Sequence, residues 1–591
     1  MSTRIALAQI NTTVGDFAGN VARLVAAAQE AHAQGARLMV APELALSGYP
    51  PEDLLLRPTF FADCEAALAS LCTALQPLAG LQVLVGHPYR RNVNANAPFA
   101  RGLPPREAFN AVSLIVEGAV AGRYFKQELP NGEVFDEKRY FASDPTPFVF
   151  DIDGIRFGVL IGEDAWHRSA ALLSQAAGAQ VLLVPNASPY HLDKVDVRVD
   201  VVRQRIRETG LPVVYVNAVG AQDELVFDGG SFVLDGSGEY AAQFAQFVEK
   251  VGVLDLDGGR GTPLIAPGAT LTRAESLESQ VYRALVLGVR DYVGKNGFPG
   301  AIVGLSGGVD SALVLAIACD ALGAERVRAV MLPSRFTSEM SRTDAQNMAM
   351  RLGVQYDIMD IEPIVQAFSQ VSSSVWAGID ADLDATVNIG ISAGICNPAP
   401  ARTPQDKTAE NIQSRVRGTL LMGISNRSGA IVLTAANKSD LAVGYCTLYG
   451  DMAGGFAVIK DISKTLVYRL CHYRNGGVGS GVDIIPDSVL TRPPSAELRQ
   501  DQTDLDDLPP YAALDAIMRM YMEEDRSPAD IVAMGFSQQV VDCVTQLIKS
   551  SEYKRRQAPI GIRVTPRAFG RDWRYPVTSR YVDRVKSGSQ N

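Results

Sequence analysis

Short apolar runs separated by amphipathic stretches fill the first 260 residues. The runs are Arg4–Ile10, Arg37–Ala41, Gln82–Gly86, Val112–Val116, Phe157–Ile161, Gln180–Val184, Val213–Val216 and Ser231–Leu234. They are rich in valine and leucine, as strands covered on both faces by helices are. This pattern predicts an α/β unit over residues 1–260. A Gly- and Pro-rich segment, Asp255–Pro267, reads as a linker, with residues 261–273 as the connection proper. From Ala274 to Val293 the pattern is helical and opens a second α/β unit, residues 274–591. Val371–Lys407 lacks clean periodicity and is rich in Ser, Gly, Ala and Pro, which predicts a mobile loop or insertion over a site.

Composition narrows the class. With 47% hydrophobic and 20% charged residues, disorder, collagen and coiled coil are excluded. The net charge of −10 argues against a chain that coats nucleic acid or an anionic membrane, so neither is an expected partner. Any anion it binds must be gripped locally. The cysteines, Cys64, Cys72, Cys319, Cys396, Cys446, Cys471 and Cys543, are scattered with no C-x-x-C. That is a reduced, cytoplasmic pattern with neither a disulfide framework nor a zinc site. The run Ile5–Ile10, interrupted by Gln9, predicts a first strand rather than a signal peptide. The most apolar long stretch, Ala301–Ala324, carries Asp310 near its centre. A carboxylate there costs at least ~2.5 kcal/mol on insertion into a bilayer, so strand, loop and helix is the reading.

That stretch contains Ser306-Gly307-Gly308-Val309-Asp310-Ser311 between a buried strand and a helix start. Two glycines let backbone N–H groups approach an anion, Ser306 and Ser311 add hydroxyls, and the helix N-terminus adds partial positive charge. The turn reads as a phosphate cradle without the lysine of a Walker A loop. It resembles the pyrophosphate-loop ATPases, which adenylylate a carbonyl oxygen and release pyrophosphate. Later come Glu410-Asn411-Ile-Gln413, Leu441 through Gly444-Tyr445 to Asp451, Arg492-Pro-Pro-Ser495 and Glu552-Tyr-Lys554-Arg555. In that order they resemble the synthetase domain of glutamine-dependent NAD synthetases. The resemblance covers nearly the whole chain and implies a doubly wound, Rossmann-like domain of the adenine-nucleotide α-hydrolase type. It further implies that ATP adenylylates the nicotinate carboxylate of deamido-NAD and that ammonia displaces AMP. By the same resemblance Ser306, Gly307, Gly308, Val309, Asp310 and Ser311 bind ATP, Asp310 and Asp440 hold Mg2+, and Asn411, Asp440 and Lys554 bind deamido-NAD. Seven Lys/Arg between Glu552 and Arg574 favour a polyanionic ligand. Where the family usually has Thr-Gly-Asn-Lys-Ser-Glu, this chain has Ala435-Ala436-Asn437-Lys438-Ser439-Asp440. Ala435 cannot donate the threonine's hydrogen bond to ATP, Asp440 reaches about 1.5 Å less, and Ala436 is strained if the glycine's φ is positive.

In the first unit Glu43 follows an apolar run, Lys126 ends Gly122-Arg-Tyr-Phe-Lys126, and Gly162 follows another run. Carboxyl ends of strands converge in α/β folds, so Glu43 and Lys126 can meet at one crevice, although each taken alone reads as a solvated surface charge. Around them lie Pro42-Glu43 to Asp53, Lys126 to Phe141 and Glu163-Asp164-Ala165-Trp166. These resemble the nitrilase-like glutaminase domain, an α-β-β-α sandwich with a Glu, Lys and Cys triad. There the glutamate deprotonates the thiol, the thiolate attacks the glutamine amide, and the lysine stabilises the oxyanion. The nucleophile position is Gly162. Gly132 stands where a glutamine-binding tyrosine is common, while Ser188 and Lys194 match further glutamine-binding positions.

The resemblance therefore implies a cytoplasmic, homo-oligomeric carbon–nitrogen ligase taking deamido-NAD and ATP, with glutamine or ammonia as nitrogen source. Two other readings stay open: a pyrophosphate-loop amidotransferase with another acceptor, and a nucleotide-binding pseudoenzyme.

Overall fold

A computed structural model describes residues 2–91, 107–257, 264–265, 275–385, 406–476, 483–581 and 583. The chain divides into two compact units, Met1–Ser276 and Leu277–Asn591.

In the first unit, strand Ser2–Gln9 lies between Leu38–Val40, parallel to it, and Lys250–Asp257, antiparallel. Gln82–Arg90, Ala108–Val116 and Ala119–Phe125 extend this sheet on one side, and Leu264–Ile265 closes the other. A second sheet runs Tyr240–Gln243, Phe232–Leu234, Val213–Asn217, Val181–Asn186, Ile155–Val159, Val149–Ile152. Successive side chains point to opposite faces of a strand. Ile5, Leu7, Val40 and Leu84 thus meet Phe157, Val159, Leu183 and Val214 in one core between the sheets. Their neighbours Ala6, Ala8, Met39 and Val83 face helices Phe17–Ala33 and Pro58–Leu75. On the other sheet Leu182, Val184 and Val213 face Arg168–Ala176 and Lys194–Thr209. Both faces of each sheet are apolar for this reason, and the result is the expected α-β-β-α sandwich.

The second unit has a parallel sheet ordered Gln355–Ile358, Val327–Met331, Ala301–Gly304, Ile431–Thr434, Phe456–Ala457. The chain builds outward from Ala301–Gly304 in one direction, then returns to its other side with Ile431–Thr434. This is the reversal at which doubly wound folds open a crevice. Helix Val309–Leu322 is buried almost throughout, and Val416 and Leu421 of helix Thr408–Ser428 cover part of the sheet with Ile361 and Val365. Helices Tyr511–Met522 and Gln538–Ser550 form a further core with Leu441 and Ala442.

Three expectations change. Asp255–Asp257 belongs to a strand, and Leu264–Ile265 pairs with Leu256 and Asp257, so these parts of the expected linker are sheet. The rest of that linker lies outside the described residues. Residues 371–385 are helical, within Glu362–Ala385, while 386–405 of the expected loop lie outside the described residues. Cys64, Cys72, Cys319, Cys446 and Cys471 are free and buried, but Cys543 is disulfide-bonded, which corrects the fully reduced reading. Among the described residues no helix is long and apolar enough to cross a membrane.

Candidate active sites

The first site gathers at the carboxyl ends of the first unit's strands. Glu43, just beyond Leu38–Val40, and Lys126, directly after Ala119–Phe125, are almost fully buried and bonded at 2.7 Å. Lys126 Nζ also donates to Glu137 Oε1 at 2.9 Å, and Asn110 Nδ2 donates to Glu43 Oε1 at 2.7 Å. Burial opposes the charge on Lys126, but Glu137 and Glu43 more than offset it and raise its pKa above the ordinary lysine value. Burial pushes Glu137 up to about 7; Lys126 pulls it down and Glu43 reinforces the rise. Tyr49 donates to Glu137 at 3.2 Å.

Gly162 opens a short 3₁₀ turn at φ +49°, a region L side chains rarely adopt. Asp164 braces this turn: it accepts the N–H groups of Ile161, Gln127 and Glu128 and the Tyr124 hydroxyl, all at 2.7–2.9 Å. Burial raises its pKa to about 6. The bonds to Gln127 and Glu128 fix the segment directly after Lys126, so one carboxylate sets both halves of the crevice. Glu43, Lys126, Gly162, Gly132, Ser188 and Lys194 all line this cavity of about 350 Å³. Ser188 Oγ accepts from Arg198 Nε at 3.0 Å, and Lys194 Nζ lies 4.5 Å from the Trp166 ring centre. Gly132 faces open space.

The second site, a cavity of about 330 Å³, lies at the reversal of the parallel sheet. Ser306, Gly308, Val309, Asp310, Ser311, Ala435 and Asp440 line it, as do Arg417, Lys464 and Arg492. Gly307, at φ +82°, has Ser341 O 2.4 Å from where a Cβ would sit, so backbone packing excludes any side chain. Ser311 Oγ lies 3.0 Å from Ser306 Oγ and accepts the Ser306 N–H at 3.2 Å, which holds the turn closed. A hydrogen-bonded chain links the acids. Lys464 Nζ donates to Asp310 at 2.5 Å, Asn437 Nδ2 bridges Asp310 and Asp440, and Tyr511 bridges Asp440 and Asp504. Burial raises Asp440 to about 8, opposed by Lys464 and reinforced by Asp310 and Asp504. Among the described residues no group of three or more His, Cys, Asp or Glu forms a ready metal cage.

Other expected residues sit beside this cavity rather than in its lining. Asn411 accepts from the Thr447 hydroxyl at 2.9 Å. Lys554 Nζ donates to the carbonyls of Gly444 and Cys446, both at 2.7 Å, bracketing Tyr445 of the cavity wall. The basic C-terminal segment is largely consumed internally: Arg555 and Arg556 bond Glu552, Arg563 bonds Asp572, and Arg567 bonds Asp525. The expected pooled charge for a polyanion is therefore not what these side chains form. Ala436 does not have positive φ, so the strain considered for it is absent. Asn110, Lys464 and Tyr511 enter the sites without a sequence signal, and Glu137 and Asn437, although inside motifs that carry the resemblance, were given no role there.

Fold and sites together define a two-part enzyme: an amide-handling α-β-β-α unit joined to a nucleotide-cradling parallel α/β unit. Residues 4–265 match the carbon-nitrogen hydrolase family and residues 281–558 the NAD synthase family. A glutamine-dependent NAD(+) synthetase of Acinetobacter baylyi is 43% identical over 580 residues, 98% of each chain. One from Xylella fastidiosa is 44% identical over 582 residues, 98% of this chain and 99% of the relative. A solved glutamine-dependent NAD+ synthetase of Acinetobacter baumannii, in complex with adenosine diphosphate, is 40% identical, covers 98% of both chains and superposes with a TM-score of 0.73. The chain belongs to the glutamine-dependent NAD(+) synthetases.

Proposed function

We propose that the protein converts deamido-NAD to NAD by ATP-dependent amidation in its second unit, with ammonia as the working nitrogen donor. The observation that carries the choice of donor is Gly162: the amide crevice keeps Glu43 and Lys126 in contact but offers no thiol at the nucleophile position. A thioester cannot form there. Loss of a nucleophile in acyl-transfer enzymes costs about 10⁶ in kcat.

In the second unit the nicotinate carboxylate attacks the α-phosphorus of ATP, and negative charge accumulates on departing pyrophosphate. The Ser306–Ser311 turn and the start of helix Val309–Leu322 border the cavity where that charge would build, and the helix N-terminus adds partial positive charge there. Arg417, Lys464 and Arg492 surround the same cavity with cations suited to phosphate oxygens. Ammonia then attacks the acyl carbon and AMP leaves. Asp310 and Asp440 are the carboxylates that would hold magnesium: they offer the hard oxygens the ion takes, provided that Lys464, Asn437 and Tyr511, which bond those oxygens in this structure, give way to it. Bound there, the ion supplies charge neutralisation at the phosphates. Lys554 acts on deamido-NAD through the Gly444–Cys446 backbone, and Ser188, Lys194 and Gly132 form the amide pocket of the first unit. A cytoplasmic location and a homo-oligomeric state accord with the substrates and the family.

An NAD-formation assay comparing ammonium with glutamine tests the reading. Ammonium is expected to support turnover, and glutamine, with free ammonia scavenged, to fall short by a factor of at least about 10³. Glutamate released stoichiometrically with NAD at the ammonium rate overturns the choice of donor. Absence of AMP release with deamido-NAD, ATP and ammonium overturns the synthetase reading itself.

A further inference from the structure

Helix Lys464–Asn475 begins with a lysine that lines the nucleotide cavity, and its first turn is held from elsewhere in the chain. The first N–H groups of a helix have no partner within it. Ser463, the residue before this helix, caps none of them with its side chain. Instead the N–H of Lys464 donates to Ser439 Oγ and that of Thr465 to Asp515 Oδ2, both at 2.9 Å. Ser439 Oγ donates its own proton to Asp515 Oδ1, so a hydroxyl and a carboxylate close a ring with two consecutive backbone donors. Ser439, Asp515 and Lys464 are all buried, and neither Ser439 nor Asp515 lines the cavity. Asp515 lies one turn after Tyr511 on helix Tyr511–Met522, on the same face. The Tyr511 ring centre is 5.3 Å from Lys464 Nζ. One helix therefore flanks the lysine at both ends, its backbone through Asp515 and its ammonium through Tyr511.

On the reading of the second unit as the synthetase, we propose that Asp515 and Ser439 are positioning residues that act through Lys464: they fix the backbone from which its ammonium reaches the phosphates of ATP. Lys464 Nζ donates to Asp310 in this structure. To exchange that carboxylate for a phosphate oxygen, the side chain swings about its own Cα, and the charge-assisted contact it gains depends on where that Cα stands. A displacement of about 1 Å can cost about 10²-fold in rate. Asp515 and Ser439 make and break no bond in the reaction, and neither reaches the cavity. A helix cap with no further role stabilises the fold whatever residue stands at the first position. Here the capped residue is the one that faces the nucleotide, so loss of the cap is felt through Lys464.

A double-mutant cycle in the full chain tests this, read on AMP release with deamido-NAD, ATP and ammonium and, independently of turnover, on the Kd of ATP by calorimetry. Lys464→Met should lower kcat about 10²-fold or more. Asp515→Ala should lower it about 10- to 10²-fold in the parent, and by less than about twofold once Lys464 is methionine. Asp515→Asn keeps an acceptor for the Thr465 N–H and should stay within about fivefold of the parent. Thermal melting by circular dichroism checks folding. Ser439→Ala, which removes the acceptor of the Lys464 N–H, carries the same cycle if Asp515→Ala does not fold. Where the double variant is too slow for a rate, the Kd of ATP carries the cycle: weakened by Asp515→Ala in the parent, unmoved by it in Lys464→Met. Equal factors of loss in the two backgrounds, a parent-like rate in folded Asp515→Ala, or an Asp515→Asn as impaired as Asp515→Ala would each overturn the proposal. A parent that releases no AMP overturns the synthetase reading instead, and the ATP affinities still decide this one.

Discussion

Glu43 and Lys126 keep their mutual contact although position 162 carries no side chain, so the crevice is assembled independently of the nucleophile. Replacing Gly162 by cysteine places a Cβ against Glu43 Oε2 and an L residue at φ +49°, costing about 1 kcal/mol for the backbone alone. Gly162→Cys is expected to raise glutamate release and make it iodoacetamide-sensitive, with incomplete recovery because Glu43 must yield a few tenths of an ångström or more. A thiol-dependent rate no higher than the parent's counts against the triad assignment. Gly132→Tyr meets open space and should lower the glutamine KM of that variant more than it changes kcat. In the other unit, Lys554→Ala frees the carbonyls of Gly444 and Cys446. We expect a higher KM for deamido-NAD with a smaller change for ATP; equal KM values before and after would show that the turn holds without the lysine. Glu43 and Lys126 were legible through the motifs around them, Pro42-Glu43 to Asp53 and Lys126 to Phe141, since a charge near the end of a strand is by itself more often a solvated surface group. Glu137 lay inside such a motif without a role assigned to it, and Lys464 was not legible, since it enters from a helix start whose local sequence carries no comparable mark.

Strand Gln82–Arg90 buries His87 inside the first unit, where its Nε2 lies 2.7 Å from Ser113 Oγ and its Nδ1 3.1 Å from Pro88 O. Burial lowers its pKa to about 4, the Pro88 carbonyl opposing the shift and Arg123 adding to it. The unfolded chain, with an ordinary value near 6.5, binds this proton more readily. The contribution to stability is therefore whole above pH 6.5 and is lost as pH falls through 4, roughly 3 kcal/mol across the window. His87→Gln should flatten the pH dependence of unfolding between those limits; parallel curves for parent and variant would exclude it. At the cradle, Gly307→Ala forces a Cβ onto the Ser341 carbonyl and should abolish AMP release while the first unit stays folded. Retained AMP release would mean that the turn yields. The apolar runs predicted strands of the sheet interiors, such as Ser2–Gln9, Leu38–Val40, Ile155–Val159 and Val181–Asn186, because strands covered on both faces are apolar at nearly every position. Helix Glu362–Ala385 escaped the pattern because Ser372, Ser373 and Ser374 interrupt it and Phe368, Val371 and Val375 are exposed rather than ranged along a buried stripe. Two-residue strands such as Asn131–Gly132 are too short to carry any period.

Each unit has its own apolar interior, which the change from one run of alternating elements to the next made readable in the sequence. The order of strands within each sheet was not readable, since it depends on pairings between distant segments. Separate interiors imply separate responses to ligand. ATP at 100 times its Kd should stabilise the second unit by about 2.7 kcal/mol and leave amide exchange in the first unit unmoved. Equal protection of both, followed by hydrogen exchange, would show that they unfold together. The pairing of Ser2–Gln9 with Lys250–Asp257 has a further consequence, for synthesis on the ribosome. Gln9 sits opposite Lys250, about 240 positions later. At about 5 to 20 residues per second, the first strand leaves the ribosome on the order of 10 to 50 s before its antiparallel neighbour exists. Through that interval one edge of a strand destined for the sheet interior stays open to other nascent chains. Slowing translation before Lys250 should therefore lower the soluble yield more than slowing it after Asp257, as expression of variants with synonymous rare codons on either side would show.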